Sequence, residues 1–455
     1  MKIIVVGCGK IGMTLIENLV SEGHDVVAID NEPTVLAEVT NVYDVISACG
    51  NGTDGDLLME ADVKSTDLFI AVTGSDELNM LSCFIAKRMG AKHTVARIRN
   101  PEHNDGSLDF LRQELELSLV VNPERLVAQE LYNMLKLPSA VRVETFSGRG
   151  LEMVELKLKT DSPLDGMKLM DLRKKYSREF LICMVQREDS VFIPDGAFEL
   201  KSGDKIGIIA TPSEILKLLK DLGILHKQAR NVMILGASNT AYYLSKMLLS
   251  GGNSVKIVDK NEARCRAFSE GLPEAVIIHG DGAQQELLLE EGISDVDAFV
   301  SLTGMDEQNI LISYFAQSRT VPKVITKVNR GEFSVLAEQL GLDSIVSPRQ
   351  TVANVIVRYA RALENSLDSS VETLYKLAGG SAEALEFTVH ADAPLCNIPL
   401  KDLQLKPNTL IAGITRGHEN LLPSGNDAIR AGDKVLILTS GSRVRNLSDI
   451  LGNKQ

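Results

Sequence analysis

Residues Gly7-Cys8-Gly9-Lys10-Ile11-Gly12 form a G-x-G-x-x-G loop between a short apolar run, Ile3 to Val6, and a helical pattern, Ile11 to Ser21. In that context such a loop can hold a nucleotide pyrophosphate. The first glycine allows a tight turn, the second lets backbone approach the phosphates, and the third lets helix and strand pack closely. The helix N-terminus then offers free N–H groups and a partial positive charge to the anion. Asp30 ends the second apolar run, 23 residues after Gly7. A carboxylate there accepts hydrogen bonds from ribose hydroxyls and repels a 2′-phosphate, so NAD(H) or an adenine nucleotide is expected rather than NADP. A capping or turn aspartate is the alternative reading.

Gly52-Thr53 follows the third apolar run and Thr73-Gly74 the fourth. Both fall at C-terminal strand ends, where ligands bind in open α/β sheets. Arg97 ends the fifth run and Arg99 lies just beyond it. An arginine fork beside a phosphate site is an anion contact, although Arg99 reads equally well as a solvated surface charge.

A second loop, Gly236-Ala237-Ser238-Asn239-Thr240-Ala241, stands 229 residues after the first and has lost the second and third glycines. Asp259 keeps the carboxylate, Lys327 stands where Arg97 stood, and Asn329 where Arg99 stood. A side chain at position 238 crowds a pyrophosphate, so weaker or altered nucleotide binding is expected there. No catalytic or metal-ligating set is expected anywhere. No histidine stands with an aspartate or arginine at a catalytic spacing, there is no G-x-S-x-G elbow or Walker A lysine, and no C-x-x-C pair.

The elements that must hold these residues repeat. Gly50-Asn51-Gly52 matches Gly280-Asp281-Gly282, and Val72 to Glu77 matches Leu302 to Glu307, both at 230 residues. Farther on, Gly203-Asp204-Lys205 parallels Gly432-Asp433-Lys434. Within the first large repeat the runs Ile3 to Val6, Val26 to Ile29, Val45 to Cys49, Leu68 to Val72 and Thr94 to Ile98 alternate with helical patterns. This predicts parallel strands buried on both faces. The small repeats alternate apolar and polar residues with a period of two, as at Val154, Leu156 and Leu158, which predicts half-buried strands. Proline-led segments, Pro123 to Leu137 and Pro348 to Leu363, read as crossover or interface helices, or as ordinary core helices. The expected fold is α/β: a duplicated Rossmann-like, doubly wound parallel sheet, each copy followed by a small α+β domain. The domains expected are 1–140, 141–225, 229–365 and 370–455.

Composition agrees with a soluble globular chain. Of 455 residues, 44% are hydrophobic and 24% charged. A net charge of −13 disfavours a general nucleic-acid binder. No apolar run approaches the roughly 18 to 20 residues that span a bilayer, and nothing reads as a signal peptide. Six scattered cysteines fit a reducing cytosol.

The run from Lys2 to Gly12, then Asp30, then Val72-Thr73-Gly74-Ser75-Asp76-Glu77-Leu78-Asn79-Met80, then Ala96-Arg97-Ile98-Arg99, resembles the TrkA family of potassium-uptake regulators. Their modules are RCK, or KTN, domains, each followed by a TrkA-C domain. The resemblance extends over nearly the whole chain. It implies a non-enzymatic regulatory subunit, peripheral on the cytoplasmic face of the membrane, and a homo-oligomer, expected to be a tetramer. The partner would be an integral Trk-type potassium channel or transporter, gated in response to NAD(H) or ATP/ADP. By resemblance the glycine-loop contacts fall on Gly7 to Ile11, the ribose aspartate on Asp30, the fourth-strand contact on Thr73 and Gly74, and the phosphate-side arginine on Arg97. An NAD-linked oxidoreductase, or the same sensor on another cation transporter, are the alternatives.

Overall fold

The computed structural model describes residues 1–100, 105–146, 150–176, 178–188, 190–225, 227–368, 371–391, 393–441, 444 and 446–452. The chain forms two compact units, one of residues 1–132 and 231–360, the other of 133–230 and 361–455.

The first unit holds both large repeats. In the first repeat the elements are β1 (Lys2–Val6), α1 (Lys10–Ser21), β2 (Asp25–Asp30), α2 (Pro33–Val42), β3 (Ile46–Cys49), α3 (Gly55–Glu60), β4 (Leu68–Ala71), α4 (Asp76–Met89), β5 (His93–Arg97), α5 (Asp105–Glu114), β6 (Leu119–Val121) and α6 (Pro123–Lys136). The sheet is parallel, in the order β3-β2-β1-β4-β5-β6. The order reverses at β1/β4, and a crevice opens there at the carboxyl ends of the strands. β4, and β1 after Lys2, are apolar because helices cover both faces of the sheet centre; Ile3, Ile4, Val5 and all of Leu68–Ala71 are buried.

The run Val45 to Cys49 was expected to be buried on both faces, but it forms an edge strand. Ile46 is 71% exposed, because β3 pairs only with β2 and lies at the rim of the sheet. The three-residue β6, too short to stand out by periodicity, completes the opposite edge.

The remaining elements lie between the repeats, β7 (Arg142–Thr145), β8 (Glu152–Lys157), α7 (Leu169–Tyr176), β9 (Leu181–Arg187), β10 (Ser190–Phe192), β11 (Lys205–Ala210) and α8 (Pro212–Asp221), and after them. The second large repeat has β12 (Asn231–Leu235), α9 (Asn239–Ser250), β13 (Ser254–Asp259), α10 (Glu262–Gly271), β14 (Val276–His279), α11 (Gln285–Glu290), β15 (Ala298–Ser301), α12 (Asp306–Ser318), β16 (Lys323–Lys327), α13 (Gly331–Gln339), β17 (Ile345–Val346) and α14 (Pro348–Asp368). Its strand order, β14-β13-β12-β15-β16-β17, reproduces the first. The long helices join the two repeats. Asn122, just before α6, donates from Nδ2 to the Tyr243 hydroxyl of α9 at 3.2 Å, and Thr351 of α14 donates to Glu130 of α6 at 2.8 Å.

The second unit holds two five-stranded antiparallel sheets. One has the order β10-β9-β11-β8-β7. The other, β18 (Val371–Leu377), β19 (Ala382–Thr388), β20 (Thr409–Arg416), β21 (Glu419–Leu421) and β22 (Lys434–Ser440), has the equivalent order β18-β19-β22-β20-β21. Each sheet keeps its own apolar core, and a third core, with Met153 and Met184 from one sheet and Leu436 and Leu438 from the other, joins them. The Gly-Asp-Lys repeat has a structural cause. Arg187 grips Asp204 with two hydrogen bonds of 2.8 Å, and Arg416 grips Asp433 at 2.9 and 2.7 Å. Each buried aspartate also accepts a backbone N–H three residues upstream, closing the turn before the last strand. Among the described residues no helix is long and apolar enough to cross a membrane.

Lys323, the first residue of β16, is buried and donates to Ser344 Oγ at 2.7 Å. Burial holds its pKa down to about 7, with Asp343 pulling the other way. The unfolded chain titrates near 10.4, so keeping the charge buried costs most below pH 7 and nothing once both states are neutral. Lys323→Met is therefore expected to raise stability at pH 6–7, by a margin that shrinks toward pH 10. Paired denaturant titrations across that range check this; a margin independent of pH contradicts it.

Candidate functional site

The three loop glycines serve three separate purposes. Gly7 has φ +94°, and a Cβ there would stand 2.8 Å from the Thr73 nitrogen. A Cβ on Gly12 would overlap the Gly7 carbonyl oxygen, so α1 packs on the loop only because that side chain is missing. A Cβ on Gly9 would meet nothing within 4 Å, so its side of the loop is open space above the N-terminus of α1, which no side chain caps.

Asp30 serves the loop as well as the space in front of it. Its Oδ2 accepts the Cys8 N–H at 2.6 Å and its Oδ1 the Glu32 N–H at 3.0 Å. Asp259 does the same with Ala237 and Asn261, at 2.6 and 2.7 Å. The turn role is thus real, and each oxygen keeps a second lone pair on a residue lining the cavity. The Cys8 side chain points away from it. Burial, then Asp30, pushes its thiol up to about 12, so it is neither a nucleophile nor a ready ligand.

Behind the fourth strand lies a pair of residues to which the sequence reading assigned no role. Asn79 Oδ1 accepts the Thr73 N–H and hydroxyl at 2.8 and 2.7 Å, and its Nδ2 donates to the Arg97 carbonyl at 2.9 Å. Asn309 repeats this with Thr303 and Lys327. Asp76, at the start of α4, accepts the Arg99 and Asn100 N–H groups at 2.8 Å each. These buried groups join the ends of β4 and β5, and the signal for them was the match of both residues at the 230-residue offset.

The arginines differ. Arg97 donates from Nη1 to the Thr73 carbonyl at 3.0 Å, and its Nε is buried without a partner. Burial, then the Arg99 charge, lowers its pKa. Arg99 is engaged: its Nε donates to Glu124 Oε1 at 3.0 Å. In the second repeat Lys327 donates to the Leu302 carbonyl at 3.2 Å, and Asn329 to Asp306. Ser238 Oγ accepts the Ala241 N–H and caps α9.

Both loops open into one cavity of about 1430 Å³, larger than the roughly 300–1,000 Å³ usual for a single small-molecule site. Every site residue expected from sequence lines it except Cys8 and Gly12, which face the packing side, and Thr53, which bonds Asn51 within its own turn. Glu124, Lys260, Arg264 and Arg349 also line it and were not foreseen. The repeated Pro123-Glu124 and Pro348-Arg349 pairs were the available clue. Among the described residues no group of histidine, cysteine or acidic side chains is arranged to hold a metal ion. The open space over Gly9, the uncapped helix start and the unpartnered Arg97 Nε fit a nucleotide phosphate group.

Fold and site together define a tandem of Rossmann-like modules with small β-rich companions. The TrkA-N domain model matches residues 3–123 and 232–348, and the TrkA-C domain model residues 153–223 and 384–452. The chain belongs to the TrkA family of Trk-system potassium-uptake proteins. It is 32% identical over 450 residues to the Trk system potassium uptake protein TrkA homolog of Archaeoglobus fulgidus, covering 99% of this chain and 100% of that protein. To the Trk system potassium uptake protein TrkA of Vibrio alginolyticus it is 31% identical, covering 96% and 95%. Its fold is shared with the GsuK channel bound to NAD, at 17% identity and a TM-score of 0.63, over 97% of this chain and 77% of that one. GsuK bound to ADP aligns at 15% identity and a TM-score of 0.52, over 80% and 69%.

Removing the buried Asn79 amide leaves the Thr73 N–H and the Arg97 carbonyl without their partner. Asn79→Ala is expected to cost about 1–3 kcal/mol. A chemical-denaturation midpoint indistinguishable from the unmutated chain would show that the link is dispensable.

Proposed function

We propose that this chain is a nucleotide-binding regulatory subunit, docked on the cytoplasmic face of an integral membrane Trk-type potassium channel or transporter and working as a homo-oligomer. NAD(H) or ATP/ADP is its ligand. The observation that carries this reading is the pair of glycine loops, each backed by its aspartate, opening into a single cavity. A ligand in such a cavity touches elements of both repeats. Any change in the spacing of the repeats then alters its contacts, which is what a regulator requires: a ligand shifts an equilibrium only by its differential affinity for the two states. The family membership supplies potassium uptake as the process, and the NAD- and ADP-bound forms of GsuK are cases in which the same fold carries these ligands.

Two measurements test the proposal. Calorimetry of the full chain should give tighter binding for NADH than for NADPH, because Asp30 accepts ribose hydroxyls and repels a 2′-phosphate. Asp30→Ala should narrow that ratio, and equal affinities in the unmutated chain would remove the ribose role. Potassium flux through the reconstituted complex should change with bound nucleotide, with a coupling of about 1–3 kcal/mol. Flux indifferent to every nucleotide, with binding intact, would refute regulation.

A further inference from the structure

Glu124 and Arg349 hold the same place in the two repeats. Each follows the proline that starts a long helix, α6 or α14, and each lines the cavity. Their charges are opposite. In the first half Glu124 neutralises Arg99, and its Oε2 is buried without a partner. In the second half position 329 is an asparagine already bonded to Asp306. Arg349 has no carboxylate partner among the described residues, and its Nε is buried and unpartnered. Lys327, from the end of β16, lines the cavity as well; burial lowers its pKa, and the Asp306 and Glu124 charges pull the other way. The asymmetry extends to the end of β13. Lys260 and Arg264 line the cavity there, at the positions held by Asn31 and Val35 in the first repeat, and neither side chain has an ion-pair partner among the described residues.

The second loop, by contrast, offers less. Ser238 uses one helix N–H for its own cap and stands where Gly9 leaves open space. Its half of the cavity has therefore exchanged backbone donors for side-chain cations. A dinucleotide has only internal phosphates, each with a single charge, and backbone N–H groups at a helix start suit them. A terminal phosphate carries close to two charges at pH 7 and is matched by the guanidinium fork. Glu124 would repel such a group, whereas Arg349 would bind it.

We propose that the second half of the cavity is the site of a nucleoside di- or triphosphate, with Arg349 taking the terminal phosphate, while the first half, with Glu124 in the equivalent place, takes the dinucleotide. This rests on the nucleotide reading of the cavity given above.

The test is calorimetry of the full chain with ATP, AMP and NAD. Gly9→Val confines binding to the second half. Gly9 has φ −64° and ψ −167°, and its Cβ would meet no neighbour, so the fold accommodates valine. In that background ATP is expected to bind more tightly than NAD. Adding Arg349→Ala should weaken ATP about tenfold or more, the loss of a charged hydrogen bond, and AMP little, since its one phosphate sits at the loop. Arg349→Lys should restore part of the loss. Equal losses for ATP and AMP, an unchanged ATP affinity, or a Gly9→Val chain that prefers NAD would each overturn the inference. If the unmutated chain binds NAD but the Gly9→Val chain binds none of the three, the inference fails and the first-half reading stands. If the unmutated chain binds none of them, the proposed function fails with it.

Discussion

The site depends on a carboxylate that is shared between loop and ligand space. Asp30 Oδ2 takes the Cys8 N–H at 2.6 Å, and Asp259 Oδ2 takes the Ala237 N–H at the same distance. A charged acceptor on a backbone donor makes a shorter and stronger hydrogen bond than a neutral one. Here it fixes where the glycine loop sits against the end of β2 or β13. The loop in turn sets the start of α1 or α9, and hence where the free helix N–H groups point. Gly7 at φ +94° and the missing side chain of Gly12 permit the turn, and the aspartate holds it. A residue that orients the loop and also lines the cavity ties both to one rigid corner of the sheet.

That corner was legible in the sequence because its determinants are local and typed. Three glycines and an aspartate each answer a steric or hydrogen-bonding demand that few other residues meet. The duplication was equally legible, since matched blocks such as Val72 to Glu77 and Leu302 to Glu307 hold one register. What stayed hidden was set by the surroundings of a residue. Val45 to Cys49 reads as apolar whether it is covered or at an edge, and only the sheet order puts Ile46 at the rim. The strands β6 and β17, of three and two residues, are too short for periodicity to register. Arg99 and Glu124 are 25 residues apart, so their pairing, and with it the silencing of one expected cation, appears only when β5 and α6 are folded together.

The buried polar residues show the same division. Asn79 and Asp76 sit where a sequence reader sees an ordinary capped helix start, yet each satisfies main-chain groups from a neighbouring strand end. A buried backbone group left without a partner costs about as much as a lost hydrogen bond. The loops after β4 and β5 are irregular, so side chains must supply what a ladder cannot. The repetition of the whole set as Asn309 and Asp306 shows that the arrangement belongs to the module and not to one of its ligands.

Placing two modules on one chain has a consequence that a symmetric dimer lacks. In a dimer with twofold symmetry every substitution appears on both sides of the shared face. A cavity between identical copies would then meet either two glutamates or two arginines at the start of its long helices. Covalent duplication removes that restriction, and here the equivalent positions hold Glu124 and Arg349, while Arg99 faces Asn329 in the register of the repeat. The fold and the aspartate corner stay the same in both halves because both halves need them to form at all. The charges lining the cavity are free of that demand, since they lie beyond the hydrogen bonds that build the loop. The halves differ both in the loop, at Gly9 and Ser238, and in the cavity lining, at Glu124 and Arg349, so two halves of one architecture present unlike fields to the same cavity.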